Sequence, residues 1–460
     1  DSGDFAVFGL TMLPFSPRRL LRSRLLRLSL LLLVVWTCIE AVLINRRLII
    51  ADEAPVRSEQ HEKIFIALLP WNNEIILRQH LNSRMLDLVR VLGIANVYFS
   101  IYENGSGDGT KGALRDLQSE LDSLSVPNHV VLEEISHEDI VRTRPTGPTE
   151  GWIRIDQAGH EAFDIHRGDY ALRRIHYLAG LRNKVLEPLG ALARNGSRFD
   201  RILFLNDVLF TPDDVLRLLQ TRDGDYAAAC SLDFELPPAF YDTFALRDAQ
   251  GRPALMKTWP FFHAAGSRNA MLTGGPVPVQ SCWNGIVALN AAPFLPPDPS
   301  TTDASPPPLR FRAVPDSLAR LHVEGSECCL VHYDNPLTPR RGVWLNSAVR
   351  VGYCHPGLRK GVFAPDWAAY KRACQLPYDA VHVAPGRSWI GVAHVAAGLW
   401  ENRVRRVVLG GARGDWRAAR KARAWARVAG GQGAGERQEP GAACLVDEMH
   451  VIEPHGWLHL

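Results

Sequence analysis

The sequence predicts an α/β protein in which a doubly wound, mostly parallel sheet follows an N-terminal membrane anchor. Short apolar runs alternate with longer stretches of helical periodicity, which is the pattern of successive βαβ units. Several of the apolar runs stop at a carboxylate or an amide. Open α/β sheets bind their ligands at this position, outside the carboxyl ends of the strands. One further apolar run, near the amino end, is long enough to cross a bilayer.

The composition is that of an ordinary globular protein and gives no reason to expect a nucleic-acid partner. The 460 residues are 46% hydrophobic and carry a formal net charge of +3. This length accommodates one large α/β domain or two smaller ones. Because the net charge is small, there is no electrostatic basis for binding nucleic acid, and we expect none.

The amino end carries a targeting signal. An apolar run over 28–44 has five arginines before it and two after it. The flanking arginines are Arg18, Arg19, Arg22, Arg24 and Arg27 on one side and Arg46 and Arg47 on the other. This asymmetry predicts that the amino end is cytoplasmic and that the rest of the chain lies in the secretory lumen.

A cleaved signal peptide is the alternative for the same segment, because its purely apolar part is short and Glu40 interrupts it. No clear cleavage site follows, which favours an uncleaved anchor. We therefore expect a cytoplasmic tail over 1–27, a transmembrane signal anchor over 28–44 and a polar stem over 45–62.

Cysteine usage and two glycosylation sequons agree with a lumenal location. The chain has eight cysteines and no C-x-x-C pair, so a zinc ribbon is not expected. The seven cysteines outside the anchor can form disulfides, although the sequence does not give their connectivity. Asn104 and Asn195 each begin an Asn-Gly-Ser sequon. Asn195 lies between a predicted helix and a predicted strand, where a glycan is easily accommodated.

The folded part opens at Lys63 with a strand over 64–69, a helix over 75–92 and a second strand over 96–102. This second strand runs into Glu103 and a glycine-rich turn that contains Gly105 and Asp108. An acid at this position can accept hydrogen bonds from ribose hydroxyls or a base edge, and the glycines let the backbone approach a ligand. The alternative is that Asp108 serves only as a turn and helix-capping residue.

The next units are a strand near 130–135, a long amphipathic helix over 166–192 and a buried strand over 202–205. Asn206 and Asp207 follow that strand directly. Asp207 could hold a hard cation against a phosphate, or it could simply be an acidic turn.

Three further acids follow this strand. Asp213 and Asp214 come after Pro212, and we interpret them as first-turn acids of a helix. A strand over 226–232 then ends in Asp233.

Arg173 and Arg174 fall on the polar face of the long helix. We expect them to be solvated, although a basic residue near a nucleotide site could bind a pyrophosphate.

The second half supplies candidates for the sugar side of a site. Trp283 could stack on a sugar face and Asn284 could bind its hydroxyls. Glu327 precedes an apolar segment and could stabilise a cationic transition state or act on an acceptor hydroxyl. His332 could be a further metal ligand, although a lone histidine is more often structural.

Two stretches of the second half are expected to be non-catalytic. The proline-rich segment 293–308 is expected to be an exposed loop. The Ala/Arg/Gly-rich segment 383–460 is expected to be partly disordered before an apolar and acidic pattern resumes at Cys444.

Six strings in chain order resemble one known family, the cryptococcal α-1,3-mannosyltransferases, which are fungal capsule-associated glycosyltransferases. They are Ile-Tyr-Glu-Asn-Gly-Ser-Gly-Asp-Gly-Thr from Ile101, Phe-Leu-Asn-Asp-Val from Phe204, Ala-Cys-Ser-Leu-Asp-Phe from Ala229, Ser-Cys-Trp-Asn-Gly from Ser281, Ser-Glu-Cys-Cys-Leu from Ser326 and Gly-Val-Trp-Leu-Asn from Gly342. The resemblance extends from about Lys63 to Cys354, so we expect a catalytic domain over 63–382.

The resemblance implies a single-pass Golgi enzyme of the GT-A kind. It would move mannose from GDP-mannose to a mannose-containing glycan with retention, form α-1,3 links and use a divalent cation, manganese or magnesium. One departure from the pattern is that Asn206-Asp207-Val208 stands where most GT-A enzymes have Asp-x-Asp.

The residues and the resemblance together predict a role for each candidate. The catalytic candidates are Asp207 and Glu327, the donor-binding candidates are Glu103, Gly105, Asp108, Asn206 and Asp233, the acceptor-binding candidates are Trp283 and Asn284, and the metal candidates are Asp207 and His332. Two other functions stay open: a membrane-tethered glycan-binding or polysaccharide-assembly protein without turnover, and a secreted nucleotide-sugar hydrolase.

Overall fold

The structure is a computed structural model that describes residues 24–57, 61–155, 166–297, 306–353, 376–382, 385–408, 414–428, 438–453 and 456–459. In chain order the strands are β1 Ile64–Leu68, β2 Val97–Glu103, β3 Asn128–Leu132, β4 Trp152–Arg154, β5 Tyr170–Leu172, β6 Arg201–Leu205, β7 Val208–Leu209, β8 Ala228–Leu236, β9 Ala239–Phe240, β10 Arg247–Asp248, β11 Pro276–Ser281, β12 Ile286–Asn290, β13 Glu324–Gly325, β14 Val343–Tyr353, β15 Leu445–Val446, β16 His450–Glu453 and β17 Gly456–His459.

The helices surround the sheet and continue into the C-terminal segment. In chain order they are α1 Arg24–Asp52, α2 formed by Glu74–Ile76, the π-helical Leu77–Leu81 and Asn82–Leu92, α3 Thr110–Ser123, α4 His137–Arg142, α5 Arg174–Arg194, α6 Pro212–Leu219, α7 Ala265–Thr273, α8 Asp316–Ala319, α9 Glu327–Asp334, α10 Thr338–Arg341, α11 Leu376–Asp379, α12 Gly391–Val408 and α13 Trp416–Val428.

The main sheet has 11 strands, of which nine follow one another in the order β10-β11-β14-β8-β12-β6-β1-β2-β3. Strands β3, β2, β1 and β6 are parallel, and β8 and β14 are parallel to each other. Strand β12 lies antiparallel between β6 and β8, so all six of those strands point the same way. Their carboxyl ends share one edge, which confirms the predicted α/β class with a mostly parallel sheet.

The sheet separates two hydrophobic cores, because successive side chains of a strand point to opposite faces. In β6, Phe204 packs into one core and Leu203 into the other. Leu181 and Val185 of α5 pack into the core of Phe204, whereas α2, α3 and α6 pack into the core of Leu203. With helices on both faces, the sheet is doubly wound.

Three expectations about local structure were wrong. The helix predicted over 166–192 begins only at Arg174, because β5 occupies the preceding residues and pairs with β4. Asp233 lies inside β8 instead of at its end, because β9 pairs with residues beyond it. Arg173 is 1% exposed and not solvated. It forms a salt bridge at 2.8 Å with the fully buried Glu324, which satisfies both charges away from water.

Helix α1 continues past the predicted anchor and joins the folded domain. Its first half is exposed, whereas Ala41, Ile44 and Leu48 are buried against the domain. Glu40, the charge that interrupts the apolar run, pairs with Arg403 of α12 at 2.6 Å. Within the part of the chain that the structure describes, the segment Arg27–Asp52 is the one helix apolar and long enough to span a membrane. A signal sequence has the same properties, so the anchor and the stem over 45–62 stay predictions.

Two disulfides connect distant parts of the chain. Cys230 of β8 bonds to Cys282, and Cys329 of α9 bonds to Cys444. The second bridge attaches the C-terminal segment to α9, and β15 also pairs with β13. The described parts of 383–460 are therefore folded, and they include α12 and α13.

Candidate functional site

A cavity of about 810 Å³ opens at the carboxyl edge of the sheet. Three predicted site residues, Asn206, Trp283 and Glu327, line it. Asn206 follows β6 directly, and Trp283 lies in the loop that connects β11 to β12. Glu327 is the first residue of α9, where a helix dipole favours a negative charge. The fold thus brings a catalytic candidate, a donor candidate and an acceptor candidate to one cavity.

Asn206 links two aromatic side chains at the floor of this cavity. Its amide nitrogen donates to the Tyr353 hydroxyl at 2.9 Å, and its amide oxygen accepts from Trp283 Nε1 at 3.2 Å. Asp207 is half-buried, and its Oδ2 accepts from the Asn73 amide at 3.1 Å. Both sides of the Asn206 amide are occupied, so the side chain that replaces the first acid of Asp-x-Asp has a positioning role.

Asp233 is fully buried, and one of its carboxylate oxygens has no hydrogen-bond partner. The other oxygen accepts from the Asn284 amide at 2.8 Å and from the backbone N–H of Asp242 at 3.2 Å. Burial, and then the nearby charge of Asp242, raise the pKa of Asp233 to about 7. A buried carboxylate oxygen without a partner is unusual, and it is a possible position for a bound cation.

The predicted acceptor-binding role of Asn284 does not fit its position, because its side chain points into the protein interior. It is fully buried and holds Asp233, and its backbone has a φ of 44°, in the left-handed region. Asparagine is among the residues that tolerate this conformation. Its surroundings give no support to contact with an acceptor.

Glu327 is held by an arginine that the sequence analysis did not single out. Arg182 of α5 donates from Nε to Glu327 Oε1 at 2.9 Å. The same guanidinium lies 4.2 Å from the centre of the Trp283 ring, in the range of a cation–π contact. Arg182 therefore fixes the carboxylate and the indole relative to each other.

Two more arginines line the cavity without a carboxylate salt bridge among the described residues. Arg247 donates to the backbone carbonyls of Phe244, Leu246, Ala443 and Cys444. Arg174 lies 4.4 Å from the centre of the Trp457 ring. Burial lowers the pKa of both guanidinium groups. Arginine nevertheless keeps its charge in proteins. A cavity with these two charges favours an anionic ligand.

In the glycine-rich turn after β2, the residues predicted to bind the sugar donor make contacts within the protein that stabilise the turn itself. Glu103 is fully buried and accepts from the Ser106 backbone N–H, while its Oε2 lies 3.8 Å from Lys111 Nζ. A Cβ on Gly105 would come within 2.5 Å of Ser136 Cα, so the close packing of this turn against the start of α4 requires the glycine. Asp108 accepts from the Thr110 and Glu74 backbone N–H groups at 3.0 and 3.1 Å, which matches the turn and capping alternative.

A second cavity of about 250 Å³ lies at the carboxyl ends of β1 and β2. Its lining includes Trp71, Asn104 and Tyr177, and it shares Arg174 and Trp457 with the larger cavity. The two cavities are therefore neighbours along the edge of the sheet.

His332 lies away from both cavity linings. It is fully buried, and its Nε2 shares a hydrogen bond of 2.7 Å with the Cys282 backbone carbonyl. Burial lowers its pKa to about 4, so the ring is neutral. Its Nδ1 has no hydrogen-bond partner, but His332 does not belong to the group of three possible metal ligands found among the described residues, so its metal-binding role stays a prediction.

The two glycosylation candidates have different environments. Asn104 is 8% exposed, and its side-chain oxygen accepts from the Tyr177 hydroxyl at 2.8 Å. Asn195 is exposed at the end of α5. A glycan needs an accessible amide, so we restrict the glycosylation prediction to Asn195.

Reasoning from the sequence missed Arg182, Arg247, Tyr353 and Asp242. Arg182 falls eight residues, or a little over two turns, beyond Arg174 on the same helix, which is a signal that could have been used once a ligand edge was predicted. The other three reach the cavity through tertiary packing, and no local pattern marks them.

A family model described as Cryptococcal mannosyltransferase 1 matches residues 63–334, more than half of the chain. The chain belongs to the cryptococcal mannosyltransferase 1 family. This membership confirms the family predicted from the six motifs and the class of glycosyltransferase, and the sheet described above confirms the mostly parallel α/β fold.

One relative in this family is the alpha-1,3-mannosyltransferase CMT1 of Cryptococcus neoformans var. neoformans serotype D. It is 26% identical over 267 residues, which are 55% of this chain and 49% of that protein. The chain thus spans about half the length of the curated relative it matches.

Two solved structures are also similar. The mannosyltransferase PcManGT from Pyrobaculum calidifontis, in complex with GDP-Man and Mn2+, is 12% identical with a TM-score of 0.32 over 90% of this chain and 88% of that one. GalNAc-T7 with UDP, GalNAc and Mn2+ is 9% identical with a TM-score of 0.33 over 77% and 60% of the two chains. TM-scores this low carry no conclusion about the ligands of the present protein.

Proposed function

We propose that this protein is an α-1,3-mannosyltransferase that moves mannose from GDP-mannose to a mannose-containing glycan with retention and with the help of a divalent cation. The observation that carries the proposal is the large cavity at the carboxyl edge of the sheet. There Glu327 is bonded to Arg182 at 2.9 Å beside Trp283. Family membership supplies the reaction class, and the cavity supplies the chemistry that the reaction needs.

The two cavities suit the two halves of a nucleotide sugar. Arg174 lacks a carboxylate salt bridge among the described residues and lies over the Trp457 ring, so its guanidinium can bind a diphosphate, while the charge of the buried Arg247 adds to the positive potential of the same cavity. The smaller cavity beside them is lined by Trp71 and Tyr177, whose rings can pack against a base. Arg174 belongs to both cavities, which suits the junction between the diphosphate and the nucleoside.

The residues near Asp207 fit a divalent cation. Asp233 contributes a buried carboxylate oxygen without a partner, and both Asp207 and Asp233 lie close enough to raise the pKa of the neighbouring Tyr353. Mg²⁺ and Mn²⁺ favour carboxylate oxygens combined with phosphate oxygens. A bound cation would neutralise charge on the leaving diphosphate.

On the sugar side, Trp283 and Glu327 are the residues we assign to substrate. Arg182 contacts both, so it holds the carboxylate in one orientation beside the indole. An oriented carboxylate next to a sugar ring can stabilise positive charge that develops at the anomeric carbon. Asn284 is not retained in this role, because it is buried against Asp233.

A second candidate function is a membrane-tethered glycan-binding or polysaccharide-assembly protein without turnover. The observation in its favour is that Asn206 stands at the place of the first acid in Asp-x-Asp and bonds to Trp283 and Tyr353. Such a protein would keep the cavity and bind glycan, and it would not release GDP.

We further propose that the enzyme is a single-pass type II protein of the Golgi membrane with its catalytic part in the lumen. The arginine asymmetry around α1 and the exposed apolar first half of that helix support this topology. In a eukaryotic secretory host, Asn195 should then carry a glycan that glycosidase removes. The variant Asn195→Gln is the control, because it abolishes the sequon and should remove the mass shift.

The experiment that tests the proposed function gives the full chain, purified in detergent, a panel of GDP- and UDP-sugars with manganese and a mannose-containing acceptor. We expect GDP release and mannosylated product with GDP-mannose only. Glycan binding without GDP release would favour the second function, and activity with UDP-sugars in place of GDP-mannose would overturn the donor assignment.

A further inference from the structure

Three possible metal ligands lie together near the carboxyl end of the chain. They are Glu448, His450 and His459, and their ligand atoms all lie within 4.8 Å of one another. His450 in β16 is directly opposite His459 in β17 in the antiparallel register. Side chains opposite each other in such a pair lie roughly 5 Å apart at Cβ, so the hairpin itself fixes the spacing of the two imidazoles.

The carboxylate completes the group. Glu448 Oε2 lies 2.9 Å from His450 Nε2 and 3.0 Å from His459 Nδ1. The two ring centres are 4.3 Å apart and the rings are nearly perpendicular, and one nitrogen of each ring lies near the same carboxylate oxygen. Two imidazole nitrogens and one carboxylate oxygen are the donor set of several catalytic zinc sites, which keep a further position open.

The group also faces a space in which a metal could meet a ligand. Glu448, His450 and His459 all line the large cavity at the carboxyl edge of the sheet. His459 lies against Trp457, with the ring centres 4.5 Å apart. The Arg174 guanidinium lies over the Trp457 ring, 4.4 Å from its centre. An anion bound in the cavity could therefore contact both the arginine and the open position of a metal.

We propose that Glu448, His450 and His459 form a binding site for a divalent transition metal of the zinc type, with its open position toward the cavity. Imidazole ligands select zinc, nickel or copper over magnesium, whose preferred ligands are oxygens. The site shares no residue with the cation position described at Asp207 and Asp233. It does not depend on the proposed transfer of mannose, because its ligands are two histidines of the β16–β17 hairpin and Glu448, which lies two residues before that hairpin.

The hairpin is held in place without the metal, which makes the site testable by substitution. Strand β16 bridges to Arg173 through Val451, and the disulfide from Cys329 to Cys444 anchors the segment before it. Glu448 and His459 are about half exposed, so replacing either one leaves no cavity in the core. His450 is buried and packs against Phe244, so it is the less suitable position for substitution.

The test uses the full chain, stripped with a chelator, dialysed and titrated with Zn²⁺ by calorimetry and with Co²⁺ by visible absorption. We expect one Zn²⁺ per chain in the wild type and a Co²⁺ band in the visible range. His459→Ala and Glu448→Gln should each weaken Zn²⁺ binding by about a hundredfold or more, because loss of even a hydrogen-bond partner of a ligand costs 10- to 100-fold.

Two control variants separate this site from others. His394→Ala removes an exposed histidine of α12, and Asp207→Asn removes an acid of the proposed oxygen-ligand cation site beside β6. Both should bind Zn²⁺ like the wild type, and all variants should have the circular dichroism spectrum of the wild type. Unchanged Zn²⁺ affinity in His459→Ala, an equal loss in His394→Ala, or absence of stoichiometric binding in the wild type would each overturn the proposal.

Discussion

Asp207 and Asp214 are two acids seven positions apart, and they should respond to the same substitution in opposite ways. Asp207 follows β6 at the ligand edge, and Asp214 is the third residue of α6. Asp214 Oδ2 accepts from the Thr211 backbone N–H at 2.8 Å and from the Thr211 hydroxyl at 2.7 Å. Thr211 and Asp214 thus form a capping box, which confirms the assignment of Asp214 to helix capping.

Asp207→Asn should remove activity and leave stability nearly unchanged. An asparagine keeps an oxygen for the Asn73 amide, which donates to Asp207 at 3.1 Å, so the unfolding free energy should change by less than about 0.5 kcal/mol. The lost negative charge should weaken binding of the cation that neutralises the leaving diphosphate. Removing one such electrostatic contact typically lowers the transfer rate at least about a hundredfold, roughly 2.7 kcal/mol.

Asp214→Asn should do the reverse. Loss of the capping box should lower the unfolding free energy by about 1 kcal/mol, which for a chain of this size is a decrease in Tm of about 2 °C or less. The transfer rate should fall by well under tenfold. The assay follows release of GDP from GDP-mannose for each variant, together with its thermal unfolding. Equal GDP release by the wild type and a folded Asp207→Asn variant would refute a role for Asp207 and leave Asp233 as the acid to test.

Three other perturbations test the rest of the structure. Arg173→Met should lower the unfolding free energy by about 3–5 kcal/mol, because it leaves Glu324 buried without its cation. Adding Glu324→Leu should restore much of this loss. A double variant as unstable as the single one would contradict this account. Asp233 has a pKa raised to about 7, so the folded state holds its proton between about pH 4 and 7 while the unfolded state has released it. Its contribution to stability therefore falls as pH rises through that window, and Asp233→Asn should flatten the measured pH dependence of unfolding relative to the wild type; an unchanged slope would show that Asp233 does not titrate there. Cys444→Ser should lower the unfolding free energy by about 2–5 kcal/mol, because the bridge to Cys329 closes a loop with a sequence separation of 115. Equal Tm values of the wild type with and without reductant would argue against that bridge.

The order of strands and helices in the first half could be predicted from local signals alone. Each buried strand there is a short apolar run with a polar end, and each helix repeats with a period of 3.6, so β1, α2, β2 and β6 were found near their true bounds. Asp214 was assigned correctly, because a capping box is a local pattern that needs no tertiary partner.

The residues that form the cavity could not all be predicted, because their positions depend on tertiary contacts that a sequence does not show directly. Arg173 was expected to be solvated, and it is buried because Glu324, 151 residues later, neutralises it. Asn284 was expected to contact sugar, and it turns inward because Asp233 accepts from its amide. His450 and His459 received no role, because their significance appears only when β16 and β17 pair.

The continuity of α1 has a consequence for how far the enzyme can reach. The buried face from Ala41 to Leu48 and the pair between Glu40 and Arg403 pack the helix directly against the domain. At a rise of about 1.5 Å per residue, the stretch from Glu40 to Asp52 is only about 20 Å long. If the apolar first half of α1 lies in a bilayer, the domain rests close to the lipid surface at a fixed height and tilt. Glycans on neighbouring membrane-bound molecules would then be presented to the cavity at one preferred angle, and long soluble polysaccharides could approach from the open side only.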